Sequence, residues 1–226
     1  PGNYDLTYTA RVPSLTQAGT RYLNTAALTY PQITVPKTAQ AGATVTDADL
    51  TWTGIGLCRK RFDFFGLRGR FVVGNAETLP FASEAFDCVC SMGVLHHTPE
   101  TARAVGELWR VMKPGGRLIV MFYHRNSVLN RLTFPLARIR TGKSRQQLVN
   151  EVDGYGNPKG DVYSEAELRV LLREFTDLEC QVGLLQRWML PARLSAFVSD
   201  ARLAEWGRRW RWVIYDKGRK AGHGAP

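Results

Sequence analysis

Three short apolar runs, each bounded by turn residues, lie in the middle of the chain at residues 71–73, 86–90 and 118–122. Between the second and third runs, apolar residues recur at helical spacing, which predicts a helix that begins at Thr98-Pro99 and ends at Lys113. Its apolar face is expected to comprise Ala102, Val105, Leu108, Trp109 and Met112. Strand, helix and strand over about 35 residues predict the βαβ unit of a parallel sheet.

The flanking sequence predicts further elements of an α/β fold. A capping box, Ser164 with Glu167, indicates the start of one helix, and Gly66 suits the end of another. The tail from Lys217 is expected to fray. The predicted elements are a strand at 43–50, a helix at 53–65, a helix after Ser164, a strand at 177–185, a helical stretch at 190–206 and a last strand at 210–215.

Two segments follow predicted strands of the parallel sheet, Gly74–Glu77 and Ser91–His97. In open parallel sheets, ligands bind beyond the carboxyl ends of the strands. The sequence therefore predicts that a ligand-binding site includes these two segments.

Three motifs occur in order along the chain: GNAETLPF at 74–81, FDCVCSMGVLHHTPE at 86–100 and ELWRVMKPGGRLIV at 107–120. Together they resemble the central and C-terminal part of class I S-adenosylmethionine-dependent methyltransferases, of the kind that acts on small molecules. The resemblance implies a doubly wound, mostly parallel sheet with an antiparallel last strand. It also implies S-adenosylmethionine as the cofactor, a small-molecule or lipid-like methyl acceptor, and no metal.

The resemblance implies a set of cofactor-binding residues at the ends of the second and third strands. Asp49, with Leu50 beside it, would accept hydrogen bonds from both ribose hydroxyls, since a carboxylate offers two oxygens to a vicinal diol. Asn75 stands where the family commonly has Asp and would accept from the adenine amino group, and the Ala76 N–H would lie near the adenine edge. The alternatives are a strand-end turn or helix cap for Asp49 and a turn role for Asn75.

After the fourth strand, Ser91 and Met92 would line the place of the reactive sulfonium. His96 is the candidate catalytic residue, because imidazole can act as a general base near neutral pH. Methyl transfer from a sulfonium depends mainly on placement, so a base is not essential. The alternative for His96 or His97 is structural: one ring packs and the other forms a hydrogen bond at the start of the helix.

The chain departs from the family in its first 40 residues, which show no clear helical or strand period. The family has a glycine-rich turn after its first strand, where the backbone approaches the cofactor. The corresponding segment here, Asn24–Gln32, contains no glycine. A disruption of the underlying gene sequence, a true loss of cofactor binding, or a differently built loop would each explain this difference.

These observations divide the chain into four parts: a poorly patterned segment at 1–40, a cofactor-binding core at 41–127, a cap or insertion at 128–163 and a C-terminal part at 164–226. The insertion exceeds a typical connection in length. In the family that the chain resembles, an insertion at this place commonly forms part of a cap over the acceptor site, which makes it the candidate for determining which acceptor binds.

The net charge of +10 raises the question of a nucleic-acid substrate. The basic residues are dispersed, and no nucleic-acid-binding module is recognised, so the distribution disfavours that partner. No apolar run reaches membrane-spanning length, and we expect a cytoplasmic protein. The four cysteines lack metal-ligand spacing, and the oligomeric state is left open.

Two other functions are compatible with parts of the sequence. A non-catalytic binding module of the same fold would explain the missing glycines. A dinucleotide-binding oxidoreductase would need a G-x-G-x-x-G turn, which the chain lacks. The residues after the fourth strand, Ser91 to Val94, also lack the acidic-Pro-Pro-aromatic signature of enzymes that methylate bases.

Overall fold

The computed structural model describes residues 21–26, 44–154, 157–183, 185, 187–206 and 211–222. Its strands are β1 (Arg21–Ala26), β2 (Thr44–Asp49), β3 (Gly69–Val73), β4 (Phe86–Met92), β5 (Met112–His124), β6 (Val162–Tyr163), β7 (Phe175–Gly183) and β8 (Val213–Lys220). Its α-helices are α1 (Trp52–Phe64), α2 (Thr101–Val111), α3 (Phe134–Thr141), α4 (Arg145–Asn150), α5 (Glu165–Leu171), α6 (Ala192–Ser195) and α7 (Asp200–Trp206).

The described strands form one sheet in the order β3-β2-β1-β4-β5-β8-β7, with the short β6 also paired to β5. Strands β1 to β5 are parallel, and β8 is antiparallel to both β5 and β7. This confirms the predicted α/β fold with a mostly parallel sheet and an antiparallel last strand. The strand order reverses at β1, where β2 lies on one side and β4 on the other, so ligands are expected beyond the carboxyl ends there.

The poorly patterned N-terminal part contains an inner strand of the sheet. Strand β1 pairs in parallel with β2 and β4, and Leu23 is opposite both Thr46 and Val89. Its sequence, RYLNTA, does not alternate, so it is recognised as a strand only by its backbone pairing. Of the segment Asn24–Gln32, the first three residues belong to β1, and the remaining positions of the missing glycine turn lie outside the described residues.

The helix between β4 and β5 is shorter than predicted at both ends. It begins at Thr101 because the Thr98 hydroxyl donates to the Leu95 carbonyl oxygen at 2.7 Å and closes a preceding 3₁₀ turn. It ends at Val111 because residues 112–116 already belong to β5. The prediction of its apolar face was wrong at Ala102 and Trp109, which are exposed. The buried positions are Thr101, Ala104, Val105, Leu108 and Val111.

Helix α5 begins as predicted. The Ser164 hydroxyl accepts from the Glu167 N–H, and the Glu167 carboxylate accepts in return from the Ser164 N–H. Both donors would otherwise lack a partner at the helix start, so this capping box fixes where α5 begins. Leu168 and Leu172, from the predicted core face, are buried against the sheet.

The C-terminal end of the chain was predicted wrongly. Strand β8 starts at Val213 and continues to Lys220, so residues 217–220 of the segment expected to fray belong to the sheet, while residues 223–226 lie outside the described part of the chain. The Lys220 side chain is only 5% exposed. Its ammonium donates to the Met112 carbonyl oxygen at 2.9 Å and lies 3.9 Å from the ring centroid of Trp109, whose face it covers.

Two of the hydrophobic clusters attach α2, α3 and α5 to the sheet. The larger one joins α2 and α5 to the inner strands, with Val89, Leu108 and Phe122 among its fully buried members. The second lies at the carboxyl end of β5, where the Tyr123 and Trp212 rings are 4.4 Å apart between centroids. Phe134, at the start of α3, joins this second cluster and so holds the insertion to the sheet.

Asp216 lies in the middle of β8, between Val120 of β5 and Cys180 of β7, and is 4% exposed. Burial raises the pKa of its carboxyl from 3.8 to about 6, which a hydrogen bond with Cys180 partly offsets. Between these two pH values the folded chain holds a proton that the unfolded chain has released. The free energy of unfolding therefore falls as the pH rises through this range.

Replacing Asp216 by asparagine is expected to stabilise the protein at neutral pH by up to about 3 kcal/mol, because the amide carries no charge to bury. The gain should shrink as the pH falls from about 6 to about 4. Urea unfolding of both proteins across this pH range measures it. Asp63→Asn is the control, because it makes the same chemical change at an exposed carboxylate. An equal gain for Asp216→Asn at every pH would contradict the prediction.

Candidate functional site

Because β3, β2, β1 and β4 are parallel neighbours, the residues that follow them meet at one edge of the sheet. Asp49 ends β2 opposite Val73 of β3, and the Gly74 N–H donates to the Asp49 carbonyl oxygen at 2.9 Å. Ser91 of β4 is opposite Thr25 of β1. The predicted cofactor-binding residues therefore lie along this carboxyl edge.

The Asp49 carboxylate is held against the start of α1. Its Oδ1 accepts from both the N–H and the hydroxyl of Thr51, each at 2.8 Å. A Cβ at Gly54 would lie 2.5 Å from this carboxylate, so only glycine leaves the space for it. The turn role expected as an alternative is thus present. Oδ2, however, accepts no hydrogen bond from any described residue, and Leu50 beside it is 69% exposed.

In the loop after β3, the side-chain oxygen of Asn75 already accepts a hydrogen bond from within the loop. Asn75 Oδ1 accepts from the Glu77 N–H at 2.9 Å, which is the turn interaction expected as the alternative to adenine binding. The Ala76 N–H has no acceptor among the described residues, and Ala76 packs against the main core. Within this loop, the Ala76 N–H is thus the group that is left to bind a ligand, because the Asn75 oxygen already accepts a hydrogen bond. The adenine contact of the Asn75 side chain stays a prediction.

A charged pair on α2 fixes this loop, and sequence reasoning missed it. Arg110 donates to the carbonyl oxygens of Phe81 and Leu79, at 2.7 and 3.0 Å, and binds both oxygens of Glu107. Glu107 in turn accepts from the Leu79 N–H at 2.7 Å. The hydrogen bond from Arg110 lowers the pKa of the Glu107 carboxyl. The sequence feature that could have identified this pair is the i,i+3 spacing of Glu107 and Arg110 in the third motif.

Ser91 is fully buried on β4, and its hydroxyl has no hydrogen-bond partner among the described residues. An unpaired buried polar group costs about 1–3 kcal/mol, so such groups often mark the place of an absent ligand or water. Met92 follows and is half-buried. Gly93 then adopts φ +76°, in which a side chain would be strained, and turns the chain away from the strand.

His96 is fully buried, with its ring centroid 4.0 Å from that of Tyr123 and 4.1 Å from that of His97. The His97 Nδ1 lies 2.6 Å from the Lys159 carbonyl oxygen, a contact that requires the proton on Nδ1. The two rings therefore take the packing and hydrogen-bonding roles expected as the structural alternative. A catalytic role for His96 stays a prediction.

The insertion returns to the sheet over the His96 turn. The Lys159 ammonium donates to the carbonyl oxygens of Thr98 and Pro99, at 2.6 and 2.8 Å, and pairs with Asp161 at 3.0 Å. The Asp161 N–H donates to the His96 carbonyl oxygen at 3.0 Å. Residues 159–161 thus cover the turn that follows β4. No sequence motif predicts this contact, because its partners are about 60 residues apart along the chain.

Within the described residues, no three or more His, Cys, Asp or Glu side chains are grouped so that they could hold a metal ion. In the same part of the chain, none of the helices combines the length and apolarity needed to cross a membrane.

A family model described as a methyltransferase domain matches residues 32–120. The phthiotriol/phenolphthiotriol dimycocerosates methyltransferase of Mycobacterium tuberculosis is 33% identical over 170 residues, which cover 70% of this chain and 62% of that protein. The demethylmenaquinone methyltransferase of Thermus thermophilus is 34% identical over 108 residues, covering 48% of this chain and 49% of that protein. The chain thus spans less than two thirds of these relatives.

Solved structures share the fold at lower identity. A SAM-dependent methyltransferase from Methanosarcina mazei superposes with a TM-score of 0.64 at 20% identity, covering 91% of this chain and 94% of that one. The [4+2]-cyclase SpnF superposes with a TM-score of 0.61 at 20% identity, covering 91% and 76%. At this identity the likeness shows the fold alone, since related folds carry different reactions.

The strand order, the antiparallel last strand and the site at the carboxyl edge define the Rossmann-like class I methyltransferase fold. The match over residues 32–120 and the named relatives make the assignment more specific. The resemblance to the class I S-adenosylmethionine-dependent methyltransferases that the sequence predicted is thus confirmed over these residues.

Proposed function

We propose that the protein transfers the methyl group of S-adenosylmethionine to a small-molecule or lipid-like acceptor. The observation that carries the proposal is a set of three polar groups at the carboxyl edge with no partner among the described residues. They are the Asp49 Oδ2, the Ala76 N–H and the Ser91 hydroxyl, which follow or belong to β2, β3 and β4. The relatives named for phthiotriol dimycocerosates and demethylmenaquinone support an acceptor of lipid or quinone type.

Each of these groups suits one part of the cofactor. The available oxygen of Asp49 would accept from the ribose hydroxyls, and the Ala76 N–H would donate to the edge of the adenine ring. Ser91 and Met92 would lie beside the methionine part, and the exposed Leu50 would cover an apolar surface. When bound, the cofactor supplies a methyl group on a sulfonium that is already a good leaving group.

The contribution of the chain to methyl transfer is placement of the acceptor and exclusion of water. The His96 turn and residues 159–161 form the wall nearest to the end of β4. Within this proposal His96 is the candidate base. Because its ring is fully buried, it could act only if acceptor binding separates residues 159–161 from the His96 turn. A cytoplasmic location and the lack of a nucleic-acid substrate belong to the same proposal.

Titration calorimetry with S-adenosylhomocysteine tests cofactor binding, and transfer of labelled methyl groups to demethylated naphthoquinones and long-chain phenols tests the acceptor class. We expect micromolar binding and label in the organic phase. A folded chain that releases no heat would instead favour the non-catalytic binding module. Binding without transfer to either acceptor class would reject the acceptor half of the proposal only.

A further inference from the structure

The segment that leaves β5 carries a concentration of positive charge. From residue 125 to residue 150 the chain contains no Asp or Glu. The basic residues in this stretch are Arg125, Arg131, Arg138, Arg140, Lys143 and Arg145. This stretch of 26 residues therefore carries six positive charges and no negative one, and it produces a local positive field.

The positive charges on the last turn of α3 are not neutralised by the fold. Arg125 pairs with Glu167 at 2.9 Å, and Lys143 pairs with Glu151 at 2.7 Å. Arg138 and Arg140 are exposed and form no ion pair with any described carboxylate. An anion from outside the chain would therefore meet two arginines that no described carboxylate holds.

Large apolar side chains project between these arginines. Ile139 is 83% exposed and Leu136 is 45% exposed, whereas Phe134 is the only buried residue of α3. Exposed apolar and cationic side chains therefore lie next to each other on this helix, and this combination favours contact with the interface of an anionic membrane. We call Leu136, Arg138, Ile139 and Arg140 the α3 surface.

More exposed apolar side chains belong to the same packed unit. The Thr133 hydroxyl, at the start of α3, donates to the Met189 carbonyl oxygen at 2.6 Å. Trp188, next to Met189, is 58% exposed, and Phe197 on the following segment is 84% exposed. Apolar exposure in this unit therefore extends beyond α3 itself.

The position of the insertion relates this surface to the site. The chain leaves β5 at His124, and it returns as β6, which pairs with β5 at Tyr123 and His124. Both ends of the insertion are thus fixed at the carboxyl edge of the sheet, where the cofactor groups lie. A surface to which the insertion binds would hold this edge nearby.

We propose that the α3 surface docks on a lipid bilayer with anionic headgroups. Arg138 and Arg140 bind the negative surface, while Ile139 and Leu136 enter the boundary between headgroups and acyl chains. Docking itself is independent of methyl transfer. Its use in delivering a lipid-like acceptor from the bilayer to the carboxyl edge rests on the proposed function.

Co-sedimentation of the full chain with vesicles tests the proposal. We expect binding to phosphatidylcholine vesicles containing about one third phosphatidylglycerol, weak binding to pure phosphatidylcholine, and release by high salt. Arg138→Gln combined with Arg140→Gln should lower the partition coefficient about 30-fold, because each basic residue near the surface contributes a factor of about five. Ile139→Ser should lower it about tenfold through lost apolar burial.

Matched variants elsewhere on the surface separate a docking site from a general charge effect. Lys60→Gln with Arg68→Gln removes the same charge from exposed positions, and Phe64→Ser removes an apolar side chain that is also 83% exposed. These controls should leave the partition coefficient within about twofold. Circular dichroism of each variant verifies the fold.

Three results would overturn the proposal: equal binding to both kinds of vesicle, an equal loss in the controls, or unchanged binding of the α3 variants. Binding to a DNA duplex without binding to vesicles would also reject it and reassign the positive surface to nucleic acid. Since none of these measurements uses methyl transfer, docking can fail while the proposed activity stands, and the reverse also holds.

Discussion

Replacing Asp49 by alanine is expected to weaken the binding of S-adenosylhomocysteine about 100-fold. The carboxylate would accept two hydrogen bonds from the ribose, and hydrogen bonds to charged groups contribute about 1.5–3 kcal/mol each. A loss of about 3 kcal/mol corresponds to about a hundredfold change in the dissociation constant. Titration calorimetry of both proteins, with a thermal melt of each, measures the effect.

Thr51→Val is the matched control for Asp49→Ala. It removes the hydroxyl that donates to Asp49 Oδ1 at 2.8 Å and accepts from the Gly54 N–H at 3.0 Å, but it keeps the carboxylate. The lost helix cap should lower the free energy of unfolding by about 1 kcal/mol, with binding changed by no more than a few-fold. An equal loss of binding in both variants would mean that the turn, and not a ribose contact, accounts for the effect of Asp49→Ala.

Replacing Arg110 by methionine is expected to lower the free energy of unfolding by about 3 kcal/mol and to weaken cofactor binding as well. The change removes the donors to the Leu79 and Phe81 carbonyl oxygens and leaves the half-buried Glu107 carboxylate without its cation. Because these bonds fix the loop that carries Ala76, its N–H would lose its position. Urea unfolding and calorimetry measure the two effects.

Two variants test whether the geometry of Arg110 matters. Arg110→Lys keeps the charge but loses the planar fork that binds both Glu107 oxygens and two carbonyls, so it should recover less than half of the lost stability. Arg103→Met removes one exposed hydrogen bond to the Glu77 carbonyl oxygen and should have little effect. Full recovery by lysine would show that charge alone is sufficient.

The features that sequence reasoning predicted correctly depend on residues close together along the chain. The capping box at Ser164 and Glu167 was predicted because its hydrogen bonds span three residues. The succession of a strand, a helix and a strand between Phe86 and Phe122 predicted a parallel βαβ unit. Each element was recognised from its own apolar periodicity, which shows which of its sides is buried. The fold class and the position of Asp49 at the end of a strand followed from these patterns.

Other features were decided by contacts between distant residues. The segment RYLNTA forms a strand through its backbone pairing with β2 and β4, and its own sequence pattern does not predict one. Trp109 was expected to be buried, but it remains at the surface, where Lys220 from the other end of the chain covers its ring. Lys159 was not identified as a site residue, because its bonds to the turn after His96 join residues about 60 positions apart along the chain.

The sequence by itself determined the parallel βαβ unit, the position of Asp49 at the end of a strand and the start of α5, because each is set by periodicity or by hydrogen bonds within a few residues. Only the tertiary structure decided which polar atoms at the carboxyl edge have no partner among the described residues, that His96 is enclosed by Tyr123 and His97, and that the last turn of α3 is exposed. These properties depend on burial, and burial is a sum over contacts from all parts of the chain.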